Sequence, residues 1–483
     1  MNQNRGRAVR SAPGSFLFLL LCGAALCLLL SGCSAGGPGT RPVSDAETAA
    51  GTGPETESGT PTETVGTSAE VLTLNDDPEV PVPVDDLSRG NRLGCVPALY
   101  IQTENGRSVK SDTSTVAFSM DVKKEKKSTQ TGLTGRIKLR GNASLGWEKK
   151  SYTLTFDEKQ DPVGSGRGKN RNWVLVSNHC DKSLLRNYIA FWLQEELDGI
   201  AWSPWACMVD VYVNGEYRGN YLLAEKITCG DNRLNIDNVT GGIDADYLVE
   251  LDNYASKSGE KGVTWFTARG IPYEIRGEET HSARRCDAVD ARVTAAYDVV
   301  CGGDEKKIRE LLDIPSAVDA YIAAEVTKNI DCGWSSFFLY FKDGKLYLGP
   351  LWDFDLAMGN DYRLDNGSYR RIYAGEDRGF SQGNVWFIQL MKQEWFRLLV
   401  AERWQELYCG GTFDRMLEAL TETEAVCLSS FKRNFRTWPI FTERVNQEPD
   451  SLLTDAMASV GAQCKALYDW LDKRVAWLND HGF

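Results

Sequence analysis

The alternation of apolar and polar residues divides the chain into a strand-rich first half and a helical second half. Residues 134–140, 151–156 and 172–176 alternate with period two, the pattern of half-buried strands. Asp181 is placed to cap a helix that runs towards Gly199, with Leu184, Leu185, Tyr188, Ile189, Trp192 and Leu193 as its apolar positions. Residues 209–227 read as a hairpin turning at Asn214-Gly215, and 246–252 as a further strand. Ser316 is expected to cap an amphipathic helix that stops near Asp331, followed by a strand over 335–341. Helical patterns then occupy 385–407, 413–431 and 451–478. This order predicts a mixed sheet with one helix, then helices around a two-stranded hairpin. That is an α+β, two-lobed architecture with a cleft between the lobes.

The hairpin carries the most informative chemistry. Lys342-Asp343-Gly344-Lys345 is a tight-turn signal, and the strand after it, 346–352, is mostly apolar. It runs into Asp353 and Asp355, held between apolar neighbours. Aspartates in such company are usually paired or bound to a metal. Two acids two residues apart at a strand end point the same way, and can share a hard cation such as Mg²⁺. An N-cap or a structural ion pair is the other reading, and both stand on this segment alone. Asp331 lies just upstream, at the expected end of a helix, where the dipole disfavours an acid. If it converges with the hairpin's end, three carboxylates meet, enough for a base and a metal site.

Cations cluster in a loop of the first half. After Leu139-Arg140-Gly141-Asn142 the alternation breaks, and it resumes beyond Lys149 and Lys150. Arg140, Lys149 and Lys150 near one sheet edge repel unless an anion joins them, and phosphate is a natural guest. A solvated basic edge is the plainer alternative. Glu225 shares a strand face with Leu223, so one reading points it inward, where it needs a cation that Lys149 or Lys150 can supply, and the other makes it a strand-end salt bridge. Glu250 is a second acid in an apolar strand.

Composition refines the address. Arg5, Arg7 and Arg10, an apolar run over 16–30 and then Leu30-Ser31-Gly32-Cys33 form a signal peptide that resembles a bacterial lipobox. Residues 1–33 are therefore expected to be the signal, with Cys33 lipidated. Residues 34–89, rich in Gly, Thr, Glu, Pro and Ser, read as a disordered tether, and 90–483 as the folded part, held outside the cytoplasmic membrane by its lipid anchor. The net charge of -13 argues against a general nucleic-acid binder. Ten cysteines remain beyond Cys33, widely spaced and without a CxxC pair, so a zinc ribbon is not expected. Gly164 to Asn170 mimics a phosphate loop, but Val163 and Asn170 break the Walker pattern. The three histidines stand at no zinc spacing, and no serine has a G-x-S-x-G setting.

Six segments then fall in a familiar order: LRGNASLGWEKKSYTLTF, NWVLVSNHCDKSLLRNYIAF, VDVYVNGEYRGNYLLAEKI, YLVELDNY, NID and PLWDFDLAMG. Together they resemble the spore-coat protein H (CotH) kinase family. The resemblance implies a divergent protein-kinase-like fold and transfer of the ATP γ-phosphate to Ser or Thr hydroxyls with Mg²⁺. It implies Asp331 as the catalytic acid and Asp353, with Asp355 beside it, as the metal ligand. Arg140, Lys149, Lys150 and Arg186 fall in the family's basic segments, and Glu225 would brace one of the lysines. Glu148 stands where the family usually has proline, and Ser335 and Ser336 where many members carry histidine or asparagine. The implied partner is an extracytoplasmic protein rich in Ser and Thr. A catalytically silent surface adhesin or carbohydrate-associated module on the same fold, and a metal-dependent hydrolase using the same acids, are the alternatives.

Overall fold

The computed structural model describes residues 87–483, apart from 238–241, 243–244, 261, 278–282 and 378–382. Cys33, the expected signal segment and most of the expected tether lie outside the described residues. The order of elements is β1 (Ala98–Thr103), β2 (Val116–Lys124), β3 (Lys127–Arg140), β4 (Ser151–Gln160), β5 (Asn170–Val176), α1 (Arg186–Glu196), β6 (Ala206–Val213), β7 (Glu216–Glu225) and β8 (Tyr247–Leu251). Then come α2 (Ala255–Glu260), β9 (Trp265–Ala268), β10 (Ile271–Arg276), α3 (Ala283–Gly302), α4 (Glu305–Leu311), α5 (Ile314–Thr327), β11 (Phe337–Lys342) and β12 (Lys345–Leu351). The chain ends in α6 (Val385–Leu390), α7 (Glu394–Cys409), α8 (Thr412–Thr437) and α9 (Val460–His481). The class is mixed α+β, with the sheets first and most helices last.

The expected mixed sheet is a closed barrel, in the order β1-β2-β3-β4-β5-β7-β6. Its seam is the parallel pair β1–β6, with Ala98 opposite Asp210 and Ile101 opposite Val213. Alternate side chains fill it: Ile137 and Leu139, Tyr152 and Leu154, Trp173 and Leu175, Val209 and Val211, Tyr221 and Leu223. The outer faces of β5, β6 and β7 are covered as well. Val174, Met208, Leu222 and Ala224 pack with Tyr188 and Ile189 of α1 and Phe431 of α8 in the other core. Strands buried on both faces carry nearly continuous apolar runs, as these do.

The hairpin expected to stand alone is the edge of a second sheet, β12-β11-β8-β10-β9. Both expected hairpin turns form with two positive-φ residues, Asn214 (+53°) and Gly215 (+82°), then Asp343 (+50°) and Gly344 (+79°).

Helix boundaries differ from the expected ones for local reasons. Leu184 takes φ +63°, so α1 begins only at Arg186, whose N–H donates to Asp181 Oδ2 at 2.9 Å. The cap of α5 is Asp313, which accepts from the Ser316 N–H at 2.9 Å; Ser316 sits inside the first turn. That helix stops at Lys328, in the left-handed region. The pattern over 385–407 is two helices, and the last helix starts at Val460 behind a Ser459 cap. Lys328 Nζ donates to the carbonyls of Asp365, Ser368 and Arg370 at 2.7, 2.8 and 2.8 Å, fastening the segment after β12 to the end of α5.

Candidate active site

The acids sit beyond β12. Asp353 takes φ +67°, so the chain leaves the strand before it, and the two aspartates are turn residues, not alternate positions of a strand as expected. Aspartate tolerates this region better than most residues. The turn is held from an earlier segment of the chain. Asn187 Oδ1 accepts from the Phe354 N–H at 2.8 Å, and Arg186 Nε donates to the Ala357 carbonyl at 3.1 Å. Asn360 Nδ2 bridges the carbonyls of Asp355 and Cys180, and the Cys180 thiol donates to Asp355 Oδ2 at 3.1 Å. Phe354 is fully buried beside Phe191.

Burial pushes the Asp353 carboxyl up, and the Arg140 guanidinium pulls it back. Burial and then the Asp353 charge raise Asp355 further. Two acids this close in a low dielectric do not both ionise without a cation.

Asp331 does not lie at the negative end of a helix. It opens a short 3-10 turn of its own, Ile330–Gly333, capped by Asn329, whose Oδ1 accepts from the Asp331 N–H at 3.0 Å. The Asn329 amide also donates to the Asp353 carbonyl at 3.3 Å, so one side chain ties both acidic turns. Burial, then the Asp353 charge, push the Asp331 carboxyl up to about 7, against the opposing pull of Arg363.

Asp331, Asp353, Asp355 and Arg140 all line one cavity of about 720 Å³. Its walls come from the end of β3 and its loop, from β8 and β10, and from the turns after α5 and β12. Arg140 stacks over the Trp352 ring, 5.4 Å from its centroid, and feels both Asp353 and Glu250.

The other expected phosphate-binding residues are not among those that line it. Lys149 is 1 % exposed, and its Nζ donates to the carbonyls of Ser177 and Asn220 over the Tyr221 ring. Burial holds its ammonium well below the usual range. Lys150 Nζ donates to the Leu145 carbonyl at 2.6 Å. Glu225 pairs with Arg233 at 2.6 Å and accepts from the Trp205 N–H, so the expected lysine–glutamate brace does not form. Arg186 is buried in an ion pair with Asp181 at 2.5 Å and serves the acidic turn from behind.

Residues outside the predicted set complete the walls. Lys226, one position past Glu225, is exposed and lines the cavity. Glu250 is pushed to about 7 by burial, against Arg276, whose Nε donates to it at 2.5 Å. Asp252 accepts from Ser335 Oγ at 2.8 Å. Strand alternation was the available signal for Lys226, which faces away from Glu225; Arg276 lies on β10, a strand the pattern does not announce. Among the described residues no group of three His, Cys, Asp or Glu is placed to hold a metal ion. The acids meet in one cavity as a pair plus one, not as a three-carboxylate cage.

The sequence model of the CotH kinase protein family matches residues 137–478, well over half of the chain. The chain belongs to the CotH kinase family. The match covers Arg140, Asp331, Asp353 and Asp355, and so every element that brings the acids to the cavity. It begins inside β3, leaving β1 and β2 of the barrel outside the CotH range. None of the curated proteins matches the chain at a significant level.

Proposed function

We propose that this CotH-family protein is a kinase that transfers the γ-phosphate of ATP to a Ser or Thr hydroxyl of a protein outside the cytoplasmic membrane, where a lipid on Cys33 anchors it. The observation that carries the reading is the meeting of Asp331, the Asp353–Asp355 pair and Arg140 on one cavity. The two-lobed, kinase-like arrangement belongs to this reading, with the barrel's β3 loop on one side of the cavity and the second sheet and the turns after α5 and β12 on the other.

The donor set fits one hard cation. Asp353 and Asp355 offer only oxygen, and their mutual repulsion in a buried setting favours a positive partner. Mg²⁺ is commonly held by one or two carboxylates together with phosphates, so a pair suffices without a third protein ligand. Held there, it would neutralise charge on the β- and γ-phosphates. Arg140 supplies a second, fixed positive charge beside Asp353, already oriented by Trp352. Asp331 orients the acceptor hydroxyl and takes its proton as the new phosphorus–oxygen bond forms and the β–γ bridging bond breaks, releasing ADP.

The test is purified protein with labelled ATP, Mg²⁺ and a Ser-rich peptide. Label enters the peptide or the protein itself with wild type and is lost with Asp353→Asn. A folded wild type that binds no nucleotide in calorimetry sinks the kinase reading and favours a binding module on the same fold.

A further inference from the structure

We infer that the thiol of Cys180 is a positioning residue for Asp355: its S–H occupies one carboxylate oxygen and fixes which oxygen is left for a cation. The inference rests on the kinase reading above, and concerns a contact that the reading itself does not use.

The contact is specific in geometry. Cys180 Sγ lies 3.1 Å from Asp355 Oδ2, and Cys180 is fully buried. A neutral thiol has one proton to give, and a carboxylate can only accept, so the direction of the bond is set. The backbones of the two residues are locked as well. Asn360 Nδ2 donates to the Cys180 carbonyl at 3.0 Å and to the Asp355 carbonyl at 2.6 Å. The residues are joined twice, side chain to side chain and main chain to main chain, across 175 positions of sequence.

The chemistry gives the contact a purpose. A carboxylate free to rotate presents either oxygen or both to a cation. With Oδ2 taken by a soft, weak donor, Oδ1 is the oxygen left for a hard ion. The thiol adds little charge of its own, so it orients Asp355 without neutralising it, which a lysine or arginine in the same place would do. Groups behind a ligand commonly change metal affinity by about 10- to 100-fold when removed.

The experiment reads cation binding apart from turnover. Mg²⁺ is titrated by calorimetry into the full chain with a non-hydrolysable ATP analogue present, for wild type, Cys180→Ser and Cys180→Ala. Cys180→Ser keeps a donor and should stay within about threefold of wild type; Cys180→Ala should bind Mg²⁺ about tenfold more weakly. In turnover, the loss should appear in the Mg²⁺ concentration needed for half-maximal rate and much less in kcat at saturating Mg²⁺. Cys427→Ala, a thiol equally buried but away from the acids, controls for lost packing and should leave Mg²⁺ affinity unchanged. The infrared S–H band, taken as wild type minus Cys180→Ser, should shift when Mg²⁺ is added, and this reading does not depend on the alanine variant folding. Equal Mg²⁺ affinity in wild type and Cys180→Ala, or an S–H band indifferent to Mg²⁺, overturns the role of Cys180 while leaving the kinase reading intact. A wild type that takes up neither Mg²⁺ nor nucleotide overturns both.

Discussion

The guanidinium of Arg140 lies 5.4 Å from the centroid of the Trp352 ring, and among the described residues it makes no hydrogen bond. A cation held by a stack and left with its donors open is prepared for an anion that approaches in the plane of the fork. Arg140→Ala should weaken ATP binding by about tenfold or more, the scale of a lost charge-assisted hydrogen bond. Trp352→Leu, which removes the stack on Arg140 together with the packing on Phe191, should cost about threefold in ATP affinity and also lower stability. Calorimetric titration with ATP measures both affinities, and an Arg140→Ala protein with wild-type affinity would show that the phosphates bind elsewhere.

Asp331→Asn should separate chemistry from binding. Phosphate transfer should fall by about 100- to 10,000-fold, the usual weight of a general acid–base group, while ATP affinity stays near wild type. The same change should raise the melting temperature. In the folded chain Asp331 is destabilised by burial and by the Asp353 charge, and an amide carries neither cost. A variant that loses activity together with stability would indicate a structural role instead.

Lys149→Met tests the displaced lysine. Its ammonium ties the end of β5 to β7 through the carbonyls of Ser177 and Asn220, away from the cavity. Methionine keeps the length but leaves both carbonyls without a donor, at a cost of about 1–3 kcal/mol for each buried group. Denaturant unfolding should show a lower midpoint, while ATP affinity changes by less than about threefold. A selective loss of ATP binding with unchanged stability would return Lys149 to the phosphate site.

Stability should also fall across neutral pH. Burial pushes the Glu424 carboxyl of α8 up to about 7 from the ordinary 4.5. The folded protein therefore keeps a proton that the unfolded chain has released. That contribution is full below about pH 4.5 and is lost as pH rises through about 7. Urea unfolding from about pH 5 to 8 should show Glu424→Gln losing less stability than wild type, by up to one proton's linkage. Glu225 and Glu250, both also pushed to about 7 by burial, keep the variant's slope from vanishing. Identical slopes in the two proteins would mean that Glu424 titrates as an ordinary carboxylate.

Much of the fold was legible where the signal is local. Asn214-Gly215 and Asp343-Gly344 named their turns because few other pairs accept two positive φ values. The acids Asp331, Asp353 and Asp355 stood out because apolar neighbours make a carboxylate conspicuous. What was hidden depends on distant partners. Nothing near Ala98 announces that it pairs with Asp210 and turns a sheet into a barrel. Lys149 and Lys150 looked alike in a loop, yet one turns into the core and the other folds back on Leu145. Glu225 does point inward and pair with a cation, but that cation is Arg233, eight residues on.

The β1–β6 seam also bears on where the protein can be cut. The family match starts at residue 137, yet β3 begins at Lys127 and the barrel closes only through β1. Upstream still, Asn91 exchanges hydrogen bonds with Met208 on β6 and donates its own N–H to Thr423 Oγ1 of α8. A chain trimmed to the matched range would leave β6 and the stump of β3 as two raw edges, each with a row of open donors and acceptors ready to recruit a neighbouring molecule. The autonomous folding unit is therefore longer than its family signature, and its true beginning lies before Asn91.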